Sequence, residues 1–431
     1  MRAVQTLTSM TRTSQRRAAM RGLSVLVLVG SAAGLGLVPA SAAAGRPSKP
    51  TSLTAVAAGS SGHYLRWSSP TVTRFVIEQA SVPATPSGAH KYSIRGYTHQ
   101  FTPYGLAPGT TYSFRVRAVN NGSTSAASNA VSFLAGAASS DVRVVAYNSL
   151  SASFDQGSAA HHPGGNAEPF VTKRGPKQIT LLNGAHPDVI GIEEAASIIH
   201  KIQGKNAYRQ IDWLADHLGA NYTLVDTYNT NGSVNRYTSN YILYGPAVAP
   251  VRSGGTWVIT PSGSSVNPGY AAYQAFRVVS TGAQFLFVDT HLASARNAST
   301  DRARGTETQN MLRQAKAYAS RLGISSIIYV GDFNSYWGAW QVNDITGRDM
   351  QAAGVPDGIA VAQHYVRAKY DSINSLYRTA RHGHGSADHI YTTGGIGVKT
   401  WGELMDISHG QFVGTIPSDH NPVYADLTIP N

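Results

Sequence analysis

Apolar and polar residues alternate in short runs between residues 46 and 134. The stretch "RFVIEQA" (Arg74–Ala80) alternates as a half-buried strand does. Trp67 sits in a similar run, "YLRWSSP". Further on, Leu106 and Pro108-Gly109 precede Tyr112, which leads an alternating strand through Phe114, Val116 and Ala118. That spacing predicts a tyrosine corner, a loop tied down by a tyrosine hydroxyl at the start of a strand. An all-β domain over 46–134 is expected. "LAGAASS" (Leu134–Ser140) is small and flexible, and residues 135–140 read as a linker.

From Asp141 the pattern mixes two periods. "VRVVAYN" (Val142–Asn148), "PDVIGIEEA" and "SSIIYVGDFN" read as strands. "YQAFRVVS" and "QFLFVDTHL" form a predicted hairpin around Thr281-Gly282. "KRGPKQITLLNGA" reads as a helix, and so does "DRARGTETQNMLRQAKAYASRLG", which stops at Gly323. "AYRQIDWLADHLG" places Tyr208, Ile211, Leu214 and Leu218 on one helical face. No internal repeat is visible, so 141–431 is read as one α/β domain.

The extreme N-terminus changes the picture. Arg12, Arg16, Arg17 and Arg21 precede the apolar run Gly22–Val38, and Ala40-Ser41-Ala42 supplies small residues for cleavage. Residues 1–42 therefore read as a signal peptide, and the mature protein is expected to be secreted. Arg16-Arg17 matches one element of a twin-arginine signal, and the rest of that motif is missing. No later stretch is apolar enough to span a bilayer. The chain has no cysteine, which excludes thiolate chemistry and cysteine-zinc sites.

The net charge of +12 is unevenly placed. Residues 1–44 hold 5 Lys+Arg and no acid, 45–137 hold 8 and one acid, and 138–431 hold 22 of each. The larger domain is thus neutral, which argues against strong polyanion binding there, since that normally needs a basic track.

Polar residues recur where the predicted strands end. They are Asn148, Glu194, His291, Asp332 with Asn334, Asp388, and Asp419 with His420. Strand ends hold side chains at a crevice, where open α/β sheets bind ligands. Glu194, Asp332 and Asp419 are hard oxygen donors and Asn148 offers an amide oxygen, a set that suits Mg2+ or Mn2+. Each residue alone also fits a turn or a loop hydrogen bond.

Residues 46–134 resemble a fibronectin type III domain over their whole length. The motifs "AYN", "PDVIGIEE", "THL", "GDFN", "ADHIY" and "SDHNPV" occur in the order and approximate spacing of the endonuclease/exonuclease/phosphatase family. The two resemblances imply an all-β immunoglobulin-like sandwich followed by an α/β four-layer (α/β/β/α) sandwich with two mixed sheets. They imply a phosphoesterase in which Glu194, Asn148 and Asp419 lie at the metal and Asp332 with Asn334 handles the water. His420, oriented by Asp388, would contact the phosphate, and His291 matches the histidine of deoxyribonuclease-like, sphingomyelinase-like and inositol-phosphatase-like members. The family commonly has Gln before the metal glutamate; this chain has Glu193. His389 replaces a common aromatic.

The function expected is an extracellular nuclease acting as a monomer on DNA or RNA. A sphingomyelinase-like phospholipase and a phosphomonoesterase are the alternatives within the family. An inactive surface-binding protein, tethered by the first domain to a surface or polymer, is the alternative outside it. Further features keep plain readings: His161, His162, His382 and His384 as exposed loop residues, and Arg236, Arg277, Arg302 and Arg304 on solvated faces. Trp337 and Trp340 fit a pocket wall or a core equally. The signal-peptide reading has a direct check. Mass spectrometry of the exported protein should find an N-terminus at Ala43, and a product that retains Met1–Ala42 would refute it.

Overall fold

The computed structural model describes residues 46–431 except 59–61, 83–89, 138, 157–162, 201–207, 220–221, 227–238, 261–268, 296, 337–344 and 384. The signal-peptide segment, His161, His162, Arg236, Trp337, Trp340 and His384 lie outside the described residues.

In the first domain, alternation becomes two sheets. Thr51–Ala58, Gly62–Ser68 and Gln100–Phe101 form one. Arg74–Ser81, His90–Arg95, Thr111–Asn120, Ser123–Thr124 and Val131–Leu134 form the other. Leu65, Trp67, Phe75, Ile77, Tyr92, Phe114 and Val116 fill the space between them. The corner forms as its spacing predicts, with the Ala107 N–H donating to the Tyr112 hydroxyl at 3.1 Å.

The second domain holds two mixed sheets. In the first, Asn240–Tyr244, Val189–Glu193, Ser140–Asn148, Val423–Ile429 and Gly397–Glu403 are neighbours in that order, and Val189–Glu193 runs parallel to Ser140–Asn148. In the second, Tyr270–Val278, Gln284–His291, Ile327–Asp332 and Asp388–Thr392 are neighbours, and Gln284–His291 runs parallel to Ile327–Asp332. The hairpin turns at Gly282, whose φ of 81° suits a residue without a Cβ.

Helices α1 (Gly175–Ala185) and α2 (Gln210–His217) set Leu182, Ile211 and Leu214 against Val145, Ile190, Ile192 and Leu243. Tyr208 precedes α2 in a two-residue strand instead of lying on its face, since Arg209 is extended and caps the helix. Helix α3 (Ala298–Leu322) starts at Asn297, whose side chain accepts from Ser299 and Thr300 N–H, and ends at the left-handed Gly323. Its Met311, Ala315 and Ala319 pack on Leu286, Val288 and Ile327. Arg304 does not lie on a solvated face: it is buried, and its guanidinium donates to the Ala293 and Ala295 carbonyls. Arg277, Arg302 and His382 are exposed.

The inner faces of the two sheets are apolar until the strands end. Val144 and Ala146 lead to Asn148, Ile328 and Val330 lead to Asp332, and Phe285 and Phe287 lead to Asp289 and His291. Period two fixes this outcome, because residues two apart share a face. One register therefore delivers the polar side chains to one end of the core.

The two domains form one compact unit. Ala135 is buried at their junction, and Ser140 already belongs to a strand. The Gln100 amide donates to the Gly354 carbonyl at 3.0 Å, the Gly395 N–H to the Thr102 hydroxyl at 3.2 Å, and the Ser93 N–H to Gln363 Oε1 at 3.1 Å. Among the described residues no helix is long and apolar enough to cross a membrane.

Gly331 lets the strand turn into Asp332. Its φ is 133°, and a Cβ there would lie 1.9 Å from the Thr290 carbonyl oxygen. Gly331→Ala should cost at least ~2 kcal/mol of folding stability, read by urea denaturation. Unchanged stability would contradict the close approach.

Candidate active site

Asn148 lies at the centre of the polar cluster. It ends the Ser140–Asn148 strand and is almost fully buried. Its Nδ2 donates to Glu194 Oε1 and to Asp332 Oδ2, both at 3.1 Å. Its Oδ1 accepts from the Leu150 N–H at 3.2 Å. One amide thus joins an acid of the first sheet to an acid of the second.

Glu194 follows the Val189–Glu193 strand with a φ of 63°, a left-handed conformation that costs a non-glycine residue roughly 1–2 kcal/mol. That turn separates the two glutamates. Glu194 faces Asn148, and the Ser151 N–H donates to its Oε2 at 3.3 Å. Glu193 points instead into the inter-sheet core, toward Asp289. Gly191 leaves room for Asp289, since a Cβ there would lie 2.4 Å from Asp289 Oδ1. Burial, with the Asp289 charge added, pushes the Glu193 carboxyl well above the usual carboxylate range, and burial lifts Asp289 to about 7. Two carboxyls facing each other at this depth are stable only with a proton between them.

Asp332 is buried, and its Oδ1 accepts from the Asn334 N–H at 2.9 Å. Asn334 holds a φ of 48°, and its Nδ2 donates to the Leu292 carbonyl at 3.0 Å. The Leu292 N–H in turn donates to the Asp332 carbonyl. This exchange pins the segment after His291 beside the segment after Asp332. His291 Nε2 lies 3.4 Å from Asp332 Oδ2 and its Nδ1 4.0 Å from Glu194 Oε1. The side chains of His291 and Glu194 keep 19% and 27% of their surface exposed, so solvent reaches the cluster on this side.

His420 also faces Asp332, with Nε2 3.8 Å from the same Oδ2. Its Nδ1 meets Asp388 Oδ2 at 2.8 Å. Asp388 is buried, and its N–H donates to the Ser372 hydroxyl. Burial alone would lower the His420 pKa. The charges of Asp388 and Asp332 outweigh it and hold the imidazole well above its ordinary value. An imidazolium is thereby favoured, braced on one nitrogen and presenting the other to the cluster.

Asp419 takes another place. Its carbonyl accepts from the Asn374 and Ser375 N–H groups, and Ser418 Oγ lies 3.4 Å from its Oδ1. Its charge acts on His420. The sequence-predicted residues therefore converge as Asn148, Glu194, Asp332, His291, His420 and Asp388, with Asn334 behind Asp332 and Asp419 beside His420.

Three residues that the sequence does not single out hold this arrangement. Arg174 is fully buried, and its guanidinium donates to the carbonyls of Ser149, Leu150 and Pro417 and to Asp155. Gln178 Nε2 donates to the Ser149 and Pro417 carbonyls. Gln210 Nε2 donates to the Leu150 carbonyl and to Ser149 Oγ. They tie the segment after Asn148 to the one before Asp419. Nothing in "KRGPKQ" distinguishes Arg174 from a solvated helix residue, because its partners are backbone oxygens. The Ser418 hydroxyl adds a bond to the Asn148 carbonyl at 2.7 Å.

A hard divalent cation fits the two carboxylates, Glu194 and Asp332, that meet beside Asn148 with no sulfur present; the Asn148 oxygen is turned away from them, to the Leu150 N–H. Asp332, Asp388 and His420 also come within 4.8 Å of one another. That trio is a less suitable cage, since Asp388 and His420 already satisfy each other at 2.8 Å.

Comparison with known proteins identifies the first domain. Residues 48–133 are a fibronectin type III domain. No curated protein matches the chain in sequence. Solved structures resemble the second domain, two of them with TM-scores of 0.50 and 0.52. One is an endonuclease/exonuclease/phosphatase family protein from Bacteroides thetaiotaomicron, at 19% identity and a TM-score of 0.52, covering 68% of this chain and 96% of that one. The other is a mannosyl-6-phosphatase from Bacteroides thetaiotaomicron VPI-5482, at 18% identity and a TM-score of 0.50, covering 66% and 99%. At this identity the likeness establishes the fold.

The His420–Asp388 pair can be checked in the metal-free protein by NMR titration of the imidazole. The pKa should lie above 6.5 and fall by roughly one to three units in Asp388→Asn, which leaves burial and removes the charge. An unchanged value would show that Asp388 does not set the proton.

Proposed function

We propose that the chain is a secreted, metal-dependent phosphoesterase that cleaves phosphodiester bonds, with nucleic acid as substrate. The observation that carries the reading is Asp332 between two histidines, His291 at 3.4 Å and His420 at 3.8 Å, with Asn148 joining it to Glu194. The family fold supports it, and the four-layer arrangement of that family is the one we assign to the second domain. Secretion rests on the Arg-rich start, apolar run and small-residue site of residues 1–42.

Glu194 would hold Mg2+ or Mn2+, joined by Asn148 once its amide is turned so that the oxygen faces the acids; Asp419 lies beside His420 and would act through that imidazole. When bound, the cation neutralises phosphoryl charge and favours attack by water. Asp332 accepts a proton from the attacking water or orients it, and the Asn334 N–H fixes the carboxylate for that task. His420, kept protonated by Asp388, donates to a phosphoryl oxygen as charge develops. His291 lies on the solvent side of Asp332, where a leaving oxygen departs and takes up a proton.

Turnover should appear with Mg2+ or Mn2+ on a panel of single-stranded DNA, duplex DNA, RNA, sphingomyelin, inositol phosphates and bis(p-nitrophenyl) phosphate. It should vanish with a chelator and drop about a hundredfold or more in Asp332→Ala. No activity on any member, from folded and metal-loaded protein, would sink the enzyme reading. Activity confined to sphingomyelin or inositol phosphates would sink the nuclease form alone.

A further inference from the structure

We propose that the fibronectin type III domain and residues 364–382 together form a track for single-stranded nucleic acid leading to the Asp332 centre. This rests on the phosphodiesterase reading above and names the polymer that the site serves.

Three cation–tyrosine pairs carry the inference. The Arg95 guanidinium of the fibronectin type III domain lies 5.9 Å from the Tyr365 ring centroid. Lys369 Nζ lies 5.0 Å from the Tyr370 centroid, and the Arg381 guanidinium 5.5 Å from that of Tyr377. Tyr365 and Tyr377 are 42% and 39% exposed, so part of each ring reaches solvent beside the cation that covers it. A cation beside an accessible ring is the unit that single strands require, since phosphate meets the charge and a base stacks on the ring.

The pairs are connected. Arg95, Lys369 and Tyr370 line one cleft of about 340 Å3 between the two domains. Tyr370 pairs with His382 across a β-bridge, and the Asp371 N–H donates to the Arg381 carbonyl at 3.0 Å. Arg381 Nη1 reaches Ser375 Oγ at 3.2 Å, and the Ser375 N–H donates to the Asp419 carbonyl at 2.9 Å. Ile373 is bridged to His420. These bonds fix the stretch that faces the fibronectin type III domain to the segment that carries Asp419 and His420.

Cations outnumber acids in the stretch 364–382, although Asp357 and Asp371 also line the cleft. Residues 364–382 include Arg367, Lys369, Arg378 and Arg381, and their sole acid, Asp371, is buried and accepts from the Gly385 N–H. Asp357, which also lines the cleft, is occupied by His389 Nδ1 at 2.6 Å. In the fibronectin type III domain, Arg74 and Arg95 stand directly opposite each other on paired strands. Like charges in that position oppose strand pairing. A polyanion on this exposed face would neutralise both. The single acid of this domain, Glu78, is taken by Arg117 at 3.0 Å. The neutral total of residues 138–431 conceals this local excess.

The test is fluorescence anisotropy of the full chain with labelled oligo(dT) of about twenty nucleotides in chelator, where no cleavage occurs. The chain should bind this strand more tightly than the matching duplex. Arg95→Ala with Lys369→Ala should weaken binding at least fivefold and reduce the salt slope by about 1.4, two phosphate contacts at ~0.7 each. Tyr365→Ala should weaken the oligo(dT) and leave an abasic strand of the same length unchanged. Unaltered binding in these variants, or equal affinity for the abasic strand or a sulfated polysaccharide, would overturn the proposal. Each variant should turn over bis(p-nitrophenyl) phosphate at the wild-type rate, which shows that it is folded. Wild-type failure on that small diester, with the binding pattern intact, would remove the hydrolase reading and leave the track in place.

Discussion

One side-chain amide connects the two sheets where the chemistry is placed. Asn148 ends a strand of the first sheet and donates to Asp332 of the second. Its other donor bond reaches Glu194, so three residues from separate strands share one network. Few other residue types could do this. A carboxylate in its place would put a third negative charge beside two others, and an apolar side chain would leave two acids without this donor. The apolar inner faces around this contact lower the local dielectric and strengthen every bond within it.

Such a cluster is held in place from behind. Arg174 and Gln178 donate to backbone oxygens just after Asn148 and just before Ser418, and Gln210 donates to the Leu150 carbonyl. Their hydrogen bonds satisfy loop carbonyls that would otherwise be buried without partners. The left-handed turns have their own partners: Asn334 bonds to the Leu292 carbonyl and to Asp332, and Glu194 accepts from Asn148 and the Ser151 N–H.

The sequence showed these features unevenly. Alternation located the strands, and the strand-end positions of Asn148 and Asp332 were readable because period two ties side-chain direction to chain position, whereas His420 lies in a loop and was readable only from its motif. The tyrosine corner was legible for the same reason, as a fixed spacing with one physical purpose. Arg174 and Arg304 were not legible, since each is buried by bonding to carbonyls, which leave no trace in residue identity. Glu193 and Glu194 are adjacent acids that only the backbone turn at Glu194 separates into different environments. The packing of the first domain on the second was also hidden. It depends on single amides such as Gln100 and on Gly395, drawn from segments that each read as ordinary surface.

The close approach at Gly331 has a consequence for how this protein changes over time. A position where any Cβ meets a carbonyl oxygen is shut to substitution, and the buried residues around Asn148 are nearly as restricted. The segment that carries the exposed Tyr365 and Tyr377 meets no such barrier at those positions. Side chains at those exposed positions can therefore be exchanged at little cost in stability, whereas the cluster around Asn148 tolerates almost none.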